Sequence, residues 1–294
     1  MKEKNTMKPY YQQDGVTIYN GDCRDVMAEL PDNLCSLTVT SPPYNMRTRI
    51  RNGEYTTREN SEHFSKKYAH FGDDLSIDEY FEFHSHALRE MMRISGLVFW
   101  NIQIVTGSKE AVFKIIGQFA RELKDVIVWD KGHGQPAMHN AVINKAAELI
   151  LIFEKEASAG RAFSKSYFPR GEMPDIWRMK RGDNTEGHGA TFPLHLAQRA
   201  ITGWSAENET VFDPFAGTGT SLVAARLSGR KAIGIEVSEK YCELTVKRLA
   251  QQPLFTPSNN RLHMDAGDSP RQPSQSTLEG FTPAEQGTTP APRR

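Results

Sequence analysis

Two short stretches carry residue types that could do chemistry. The first is Thr40-Ser41-Pro42-Pro43-Tyr44-Asn45, directly after the apolar, β-branched run Leu34 to Thr40. Two prolines fix the backbone and remove two N–H donors. The carbonyls of Ser41 and Pro42 and the Ser41 hydroxyl can then act as rigid acceptors, while Tyr44 offers a flat stacking face. Acceptors beside an aromatic platform suit a planar group that bears an NH2. The same residues also make an ordinary proline turn after a strand.

The second stretch is Val211-Phe212-Asp213-Pro214-Phe215-Ala216-Gly217-Thr218-Gly219-Thr220-Ser221, a strand end, a glycine turn and a helix opening at about Ser221. Glycines let the backbone approach a ligand, and the helix start offers unpaired N–H groups. Leu222 stands where a dinucleotide fingerprint needs Gly or Ala, and no Lys completes a phosphate loop. About twenty residues on, Glu236 ends Ala232-Ile233-Gly234-Ile235-Glu236, where a carboxylate suits paired ribose hydroxyls. A nucleoside without phosphates therefore fits this pair better than NAD or ATP, and a plain strand–helix junction fits it equally. Asp22, in Gly21-Asp22-Cys23 after Val16 to Tyr19, can accept from an adenine amino group or simply cap a helix.

These residues need a scaffold. Leu97 to Trp100, Val126 to Trp129, Leu149 to Phe153, Thr210 to Asp213 and Lys231 to Ile235 read as strands, with helical patterns between them. The clearest helix runs from Ile77 to Met92, with Ile77, Tyr80, Phe81, His84, Leu88 and Met91 on one face. Ser76 and Glu79 form a capping-box start. Alternating strands and helices imply a mostly parallel sheet covered on both faces. In such a sheet ligands bind beyond the carboxyl ends of the strands, so both chemical loops belong on one edge. His84 and His86 do not share a helix face and make no metal-ligand pattern.

Thirty-six Lys+Arg balance thirty-six Asp+Glu, so nucleic-acid binding must come from local patches. Two long segments, 47–72 and 155–190, lean basic. The first holds Arg47, Arg49 and Arg51, and the second Arg178, Lys180 and Arg181. Either is a solvated loop or a phosphate-facing surface. Three cysteines, none in a Cys-x-x-Cys pair, exclude a disulfide scaffold and a zinc site of that type. The polar N-terminus is read as excluding a secretory signal peptide, and no apolar run approaches roughly 18 residues. The expectation is a cytoplasmic protein with no membrane partner and no metal. Residues 254–294, rich in Pro, Ser, Thr and Gln, read as a disordered tail after a domain spanning 1–253.

Taken together, the Ser-Pro-Pro-Tyr tetrapeptide and the Asp-Pro-Phe-Ala-Gly-Thr-Gly-Thr loop resemble the amino-methylating DNA methyltransferases that use S-adenosylmethionine. The order resembles their permuted β group: catalytic motif first, target recognition in the middle, cofactor motif last. His188-Gly189-Ala190-Thr191-Phe192-Pro193 through Arg199-Ala200-Ile201 is similar to the family's motif X, and Asp175-Ile176-Trp177-Arg178 to its lead-in. The resemblance spans Val16 to Leu249. It implies a Rossmann-like α/β fold with a twisted, mostly parallel seven-stranded sheet and helices on both faces.

The resemblance also implies roles. Phe212, Asp213, Phe215, Gly217 and Gly219 line the methionine and ribose part of the cofactor, and Phe192 and Pro193 complete the pocket. Glu236 holds the ribose hydroxyls and Asp22 the adenine amine. Ser41, Pro42, Pro43 and Tyr44 are catalytic and act on a base flipped from double-stranded DNA. Segment 155–190 stands in the place of target recognition, and 47–72 faces DNA. Ser41 at the first catalytic position accompanies cytosine-N4 activity in the family, with adenine-N6 as the alternative. RNA or protein-glutamine methylation, or an inactive DNA-binding relative, are further readings. A cognate restriction endonuclease is a possible partner. Carbon-5 cytosine methylation needs a Pro-Cys nucleophile, and Cys23, Cys35 and Cys242 do not fit; they read as small core residues.

Overall fold

The computed structural model describes residues 8–45, 49–51, 54–56, 75–134, 140–156, 160–181 and 192–251. The tail expected over 254–294 lies outside these residues, as does Arg47. The strands are β1 (Tyr11–Gln13), β2 (Val16–Asn20), β3 (Leu37–Thr40), β4 (Arg49–Arg51), β5 (Glu54–Thr56), β6 (Leu97–Ile102), β7 (Leu123–Asp130), β8 (Ala147–Glu154), β9 (Ile176–Arg178), β10 (Thr210–Asp213) and β11 (Lys231–Glu236). The helices are α1 (Cys23–Glu29), α2 (Ile77–Ser95), α3 (Lys109–Gln118), α4 (Leu194–Trp204), α5 (Thr220–Leu227) and α6 (Glu239–Ala250).

One nine-stranded sheet has the order β1-β2-β11-β10-β3-β6-β8-β7-β9. Neighbours pair in parallel except where β1 meets β2 and where β8 meets β6 and β7. The resemblance implies seven strands; the additional two, β1 and β9, are three-residue strands at the two edges. β9 lies inside the segment 155–190, which the sequence reads as a long loop. It is held there by Trp177, wholly buried and in register with Trp129 of β7. β4 and β5 form a separate antiparallel hairpin, so 47–72 also carries strand.

Strand residues alternate between two cores, which is why the strands read as continuous apolar runs. Phe99, Ile150, Ile152 and Val211 face α4, α5 and α6, with Trp204 packed on Phe99 at a ring separation of 4.7 Å. Trp100, Leu151, Phe153 and Phe212 face α1, α2 and α3. The sheet is thus covered by helices on both sides. α2 starts on its capping box: Glu79 N–H donates to Ser76 Oγ (3.2 Å), and Ser76 N–H donates to Glu79 Oε2 (2.9 Å). Gly96, at φ 72°, ends the helix in a left-handed conformation that suits glycine. β3 begins at Leu37 instead of Leu34, because Leu34 is exposed ahead of the sheet.

Candidate active site

Among the described residues, those of the two chemical motifs lie at one end of the strands of the large sheet. In the spatial order of the strands, Asp22 follows β2, Glu236 ends β11 and Asp213 ends β10; Ser41 and Tyr44 follow β3. Asn101 lies near the end of β6, Glu148 near the start of the reversed strand β8, Lys131 follows β7 and Arg181 follows β9. The shared edge expected from strand direction is therefore present, with β3 and β10 adjacent and in parallel register, Phe212 opposite Thr38.

On the glycine-loop side, Asp213 is buried beneath the loop. Its Oδ1 accepts from Thr40 Oγ1 at 2.6 Å and from the Phe215 N–H at 3.0 Å, and Oδ2 accepts from Ser221 Oγ. Burial pushes its pKa up to about 6 against these bonds. Phe212 is wholly buried in the α1–α3 core. Both residues thus support the loop from below, and Phe215 is the part-buried residue of the set, packed near Phe83 and His84. Gly217 (φ 54°) and Gly219 (φ 76°) are left-handed. A Cβ on Gly219 would overlap the Thr245 side chain, so glycine there also lets α6 pack against the loop.

Glu236 closes this side. Its Oε2 accepts from the Gly217 N–H and its Oε1 from the Ser238 N–H, each at 2.8 Å. Burial pushes its pKa up to about 7, with the Asp213 charge adding to the effect. Gly21 N–H donates to the Glu236 carbonyl, which brings Asp22 to the neighbouring strand end. Asp22 caps α1: its Oδ1 accepts from the Arg24 N–H (2.9 Å) and Nε (3.0 Å). The Arg24 guanidinium holds its carboxyl below the usual range. Asp22 thus fills the helix-cap role, and an amine ligand would share these oxygens with Arg24.

On the Ser-Pro-Pro-Tyr side a polar network runs across the ends of five strands, β3, β6, β8, β7 and β9. The hydroxyls of Ser41 and Tyr44 lie 2.7 Å apart. Tyr44 Oη donates to Glu148 Oε2 at 3.0 Å, and Asn101 Nδ2 donates to both Tyr44 Oη and Glu148 Oε2 at 2.8 Å. Lys131 Nζ donates to Glu148 Oε1 at 3.0 Å, and Arg181 stands 3.6 Å from the same oxygen. Asn101, Lys131 and Glu148 are 3%, 2% and 5% exposed, so this is a buried network anchored by a paired charge. Asn101 Oδ1 is buried with no hydrogen-bond partner among the described residues. Pro43 is held by Tyr80, whose Oη donates to its carbonyl at 2.9 Å. Asn45, at φ 55°, donates to the carbonyls of Leu75 and Gly107 and fixes the turn from the far side.

The sequence did not point to Asn101, Lys131 or Glu148. The available signal was a charged residue heading an apolar run, Glu148 before Leu149 to Phe153. Arg178 and Arg181, expected as DNA contacts, also reach acids: Arg178 Nε lies 3.7 Å from Asp130, and Arg181 faces Glu148. Lys180 is exposed between them. They reach the site edge because β9 is parallel to β7, although the segment begins on the opposite edge, where Lys155 N–H donates to the Gly96 carbonyl. Of Arg49 and Arg51 only their place in β4 is described. Pro193 precedes α4 as its N-cap, and Phe192 is buried in the α4–α6 core. Cys23, Cys35 and Cys242 are buried free thiols, each pushed up to about 12 by burial. Among the described residues no group of three or more His, Cys, Asp or Glu could hold a metal ion, and no helix is long and apolar enough to cross a membrane.

A family model described as DNA methylase matches residues 35–247. Type II methyltransferase M.BglII of Bacillus subtilis is 24% identical over 273 residues, covering 80% of this chain and 69% of the relative. Type II methyltransferase M2.MboI of Moraxella bovis is 24% identical over 267 residues, covering 82% and 91%. Among solved structures, the PvuII DNA methyltransferase (cytosine-N4-specific) aligns with a TM-score of 0.64 at 17% identity, over 85% of this chain and 91% of that one; the likeness is one of fold. A DNA modification methylase of Thermus thermophilus, solved complexed with S-adenosyl-L-methionine, aligns with a TM-score of 0.55 at 25% identity, over 79% and 92%.

Proposed function

Because the chain belongs to the N6/N4 DNA methylase family, we propose that this DNA amino-methyltransferase acts on the N4 amine of a cytosine flipped out of double-stranded DNA. The observation that carries the reading is the Thr40–Asp213 hydrogen bond, which fastens the Ser-Pro-Pro-Tyr strand to the glycine-loop strand. An amine bound at one loop then faces a cofactor bound at the other.

The residues fit S-adenosylmethionine. α5 starts at Gly219 without a side-chain cap, so its first N–H groups can meet a ligand. Both Glu236 oxygens accept from backbone N–H groups, and the carboxylate still has acceptor capacity for a ribose hydroxyl. Two carboxylates, Glu236 and Asp22, oppose a phosphate there. Held with its ribose at Glu236 and beside the first N–H groups of α5, S-adenosylmethionine would supply a methyl group activated by a positively charged sulfur.

The protein supplies alignment and acceptors. An aromatic amine is a weak nucleophile because its lone pair is delocalised into the ring. Ser41 Oγ accepts from its protons and favours a pyramidal nitrogen whose lone pair faces the methyl. Tyr44 stacks on the flipped base. Holding the two reactants in line contributes roughly 7–11 kcal/mol to lowering the barrier. No covalent intermediate is needed. Ser41 at the head of the tetrapeptide favours cytosine over adenine by family resemblance. By family resemblance 155–190 takes the recognition role, with the exposed Lys180 and its neighbours facing DNA. Its Type II relatives make a cognate restriction endonuclease the partner to look for.

The test is to incubate the protein with unmodified DNA and S-adenosylmethionine, digest to nucleosides and read them by mass spectrometry. N4-methylcytosine is the expected product. N6-methyladenine keeps the mechanism and overturns the base. No methylated nucleoside across DNA of varied sequence, from protein that binds the cofactor, overturns the DNA reading.

A further inference from the structure

The buried pair Glu148–Lys131 ends the hydrogen-bond chain that starts at Ser41. A carboxylate held by an ammonium can only accept hydrogen bonds. Glu148 Oε2 takes one from Asn101 Nδ2 and one from Tyr44 Oη. Charge-assisted bonds are the stronger ones, so the phenolic proton is committed to Glu148. Tyr44 Oη then has only lone pairs left, and it receives Asn101 Nδ2 and the Ser41 hydroxyl at 2.7 Å. The Ser41 proton therefore points at Tyr44, which leaves both Ser41 lone pairs as acceptors, one of them 3.4 Å from Asn101 Nδ2 and the other open to a ligand amine. Lys131 keeps the direction from reversing, because it occupies Glu148 Oε1 at 3.0 Å in a site from which water is excluded.

We propose that Glu148 is a positioning residue whose Lys131-held carboxylate fixes the direction of the Tyr44–Ser41 hydroxyl chain, so that Ser41 meets the target amine as an acceptor. The inference rests on the reading of the site as an amine methyltransferase. It assigns Tyr44 a second duty: its ring face serves the base and its hydroxyl transmits the polarity set by Glu148. A neutral amide at position 148 can donate as well as accept, and the chain then loses its fixed direction.

The experiment compares the full-length wild type with Glu148→Gln, Tyr44→Phe and their double variant in methyl transfer to DNA. It separates kcat from the KM for DNA, and it measures cofactor affinity by calorimetry as a check on the site. Glu148→Gln and Tyr44→Phe are each expected to lower kcat at least 30-fold, with KM and cofactor affinity within about threefold. The double variant is expected to be no worse than the poorer single one, because both break the same chain. Equal multiplication of the two losses, or a Glu148→Gln enzyme within threefold of wild-type kcat, overturns the proposal. If Glu148→Gln does not fold, Tyr44→Phe decides alone, since it deletes only the linking oxygen: wild-type kcat in that variant overturns the proposal. A wild type that methylates no DNA instead overturns the underlying reading, which distinguishes the two failures.

Discussion

Thr40 Oγ1 donates to Asp213 Oδ1 at 2.6 Å, inside the sheet, where two neighbouring strands end. The bond joins the residue before Ser41 to the residue that carries the glycine loop, and both partners are buried. Asp213 then holds the loop itself through the Phe215 N–H and helix α5 through Ser221. Thr40→Val keeps the shape and removes the donor. Leaving a buried acceptor short of a partner costs about 1–3 kcal/mol. The expected result is a lower urea midpoint together with a loss in kcat larger than the change in cofactor affinity. A stable variant with wild-type kcat breaks the link between the two loops.

Burial raises Asp213 to about 6 from an ordinary 3.8. A raised acid favours folding fully below the unfolded value, and that contribution is lost as pH rises through about 6. Wild-type stability, taken relative to Asp213→Asn, should therefore fall between pH 4 and 7, by an amount on the order of 2–3 kcal/mol. Urea unfolding of both proteins across that range gives the answer. A difference that stays constant with pH contradicts the assignment.

Glu236 is raised to about 7 by its burial. An ionised carboxylate accepts ribose hydroxyls better than a neutral one. Affinity for S-adenosylmethionine is expected to climb with pH through about 7 and then level off. In Glu236→Gln the affinity should drop about tenfold to a hundredfold and lose that pH dependence. Calorimetry at pH 6, 7 and 8 measures both, and a pH-independent wild-type affinity assigns the ribose contact elsewhere.

Gly219 combines a left-handed backbone with a close approach to Thr245. Gly219→Ala should destabilise the protein by about 1–3 kcal/mol, from backbone strain plus overlap. Adding Thr245→Ser removes the overlapping methyl and should restore part of the loss, leaving the backbone cost. No recovery in the double variant argues that Thr245 is not the obstruction.

Arg178 and Lys180 are exposed at the same edge. If they meet phosphates, Arg178→Ala/Lys180→Ala weakens DNA binding at every sequence and flattens the salt slope by about 2. Wild-type affinity and slope in the double variant remove them from the DNA surface. Arg181 is a poorer choice for this test, because its contact with Glu148 ties it to the reacting side.

Much of this was legible in the sequence, for physical reasons. Strands buried on both faces write themselves as apolar runs, and Ser76 with Glu79 marks the start of α2. Adjacent chemical loops follow from strand direction alone. What escaped were contacts between residues distant in sequence. β1 and β9 are too short to show a period, and each exists only by pairing with a longer neighbour. Glu148 reads as a lone charge on an apolar strand until the sheet brings it to Asn101, Tyr44 and Lys131. Phe212 and Asp213 sit in a motif that signals a ligand, yet the chain turns them into the core; a motif marks the position, and only packing says which way a side chain points.

The reversed strand β8 has one more consequence. Glu148 is the second residue of that strand, whereas Asn101 lies one residue before the end of β6 and Lys131 just beyond the end of β7. Each side of the edge contributes a group, and the edge takes no account of the order in which the chain visits it. The molecule behaves like a keyboard whose keys are strand ends: connections on the opposite side can be lengthened, shortened or rewired while the keys keep their places. Laboratory grafts that aim to exchange target recognition should therefore join the chain on the Gly96–Lys155 side, away from the described site residues, and leave the register of β8 against β6 untouched.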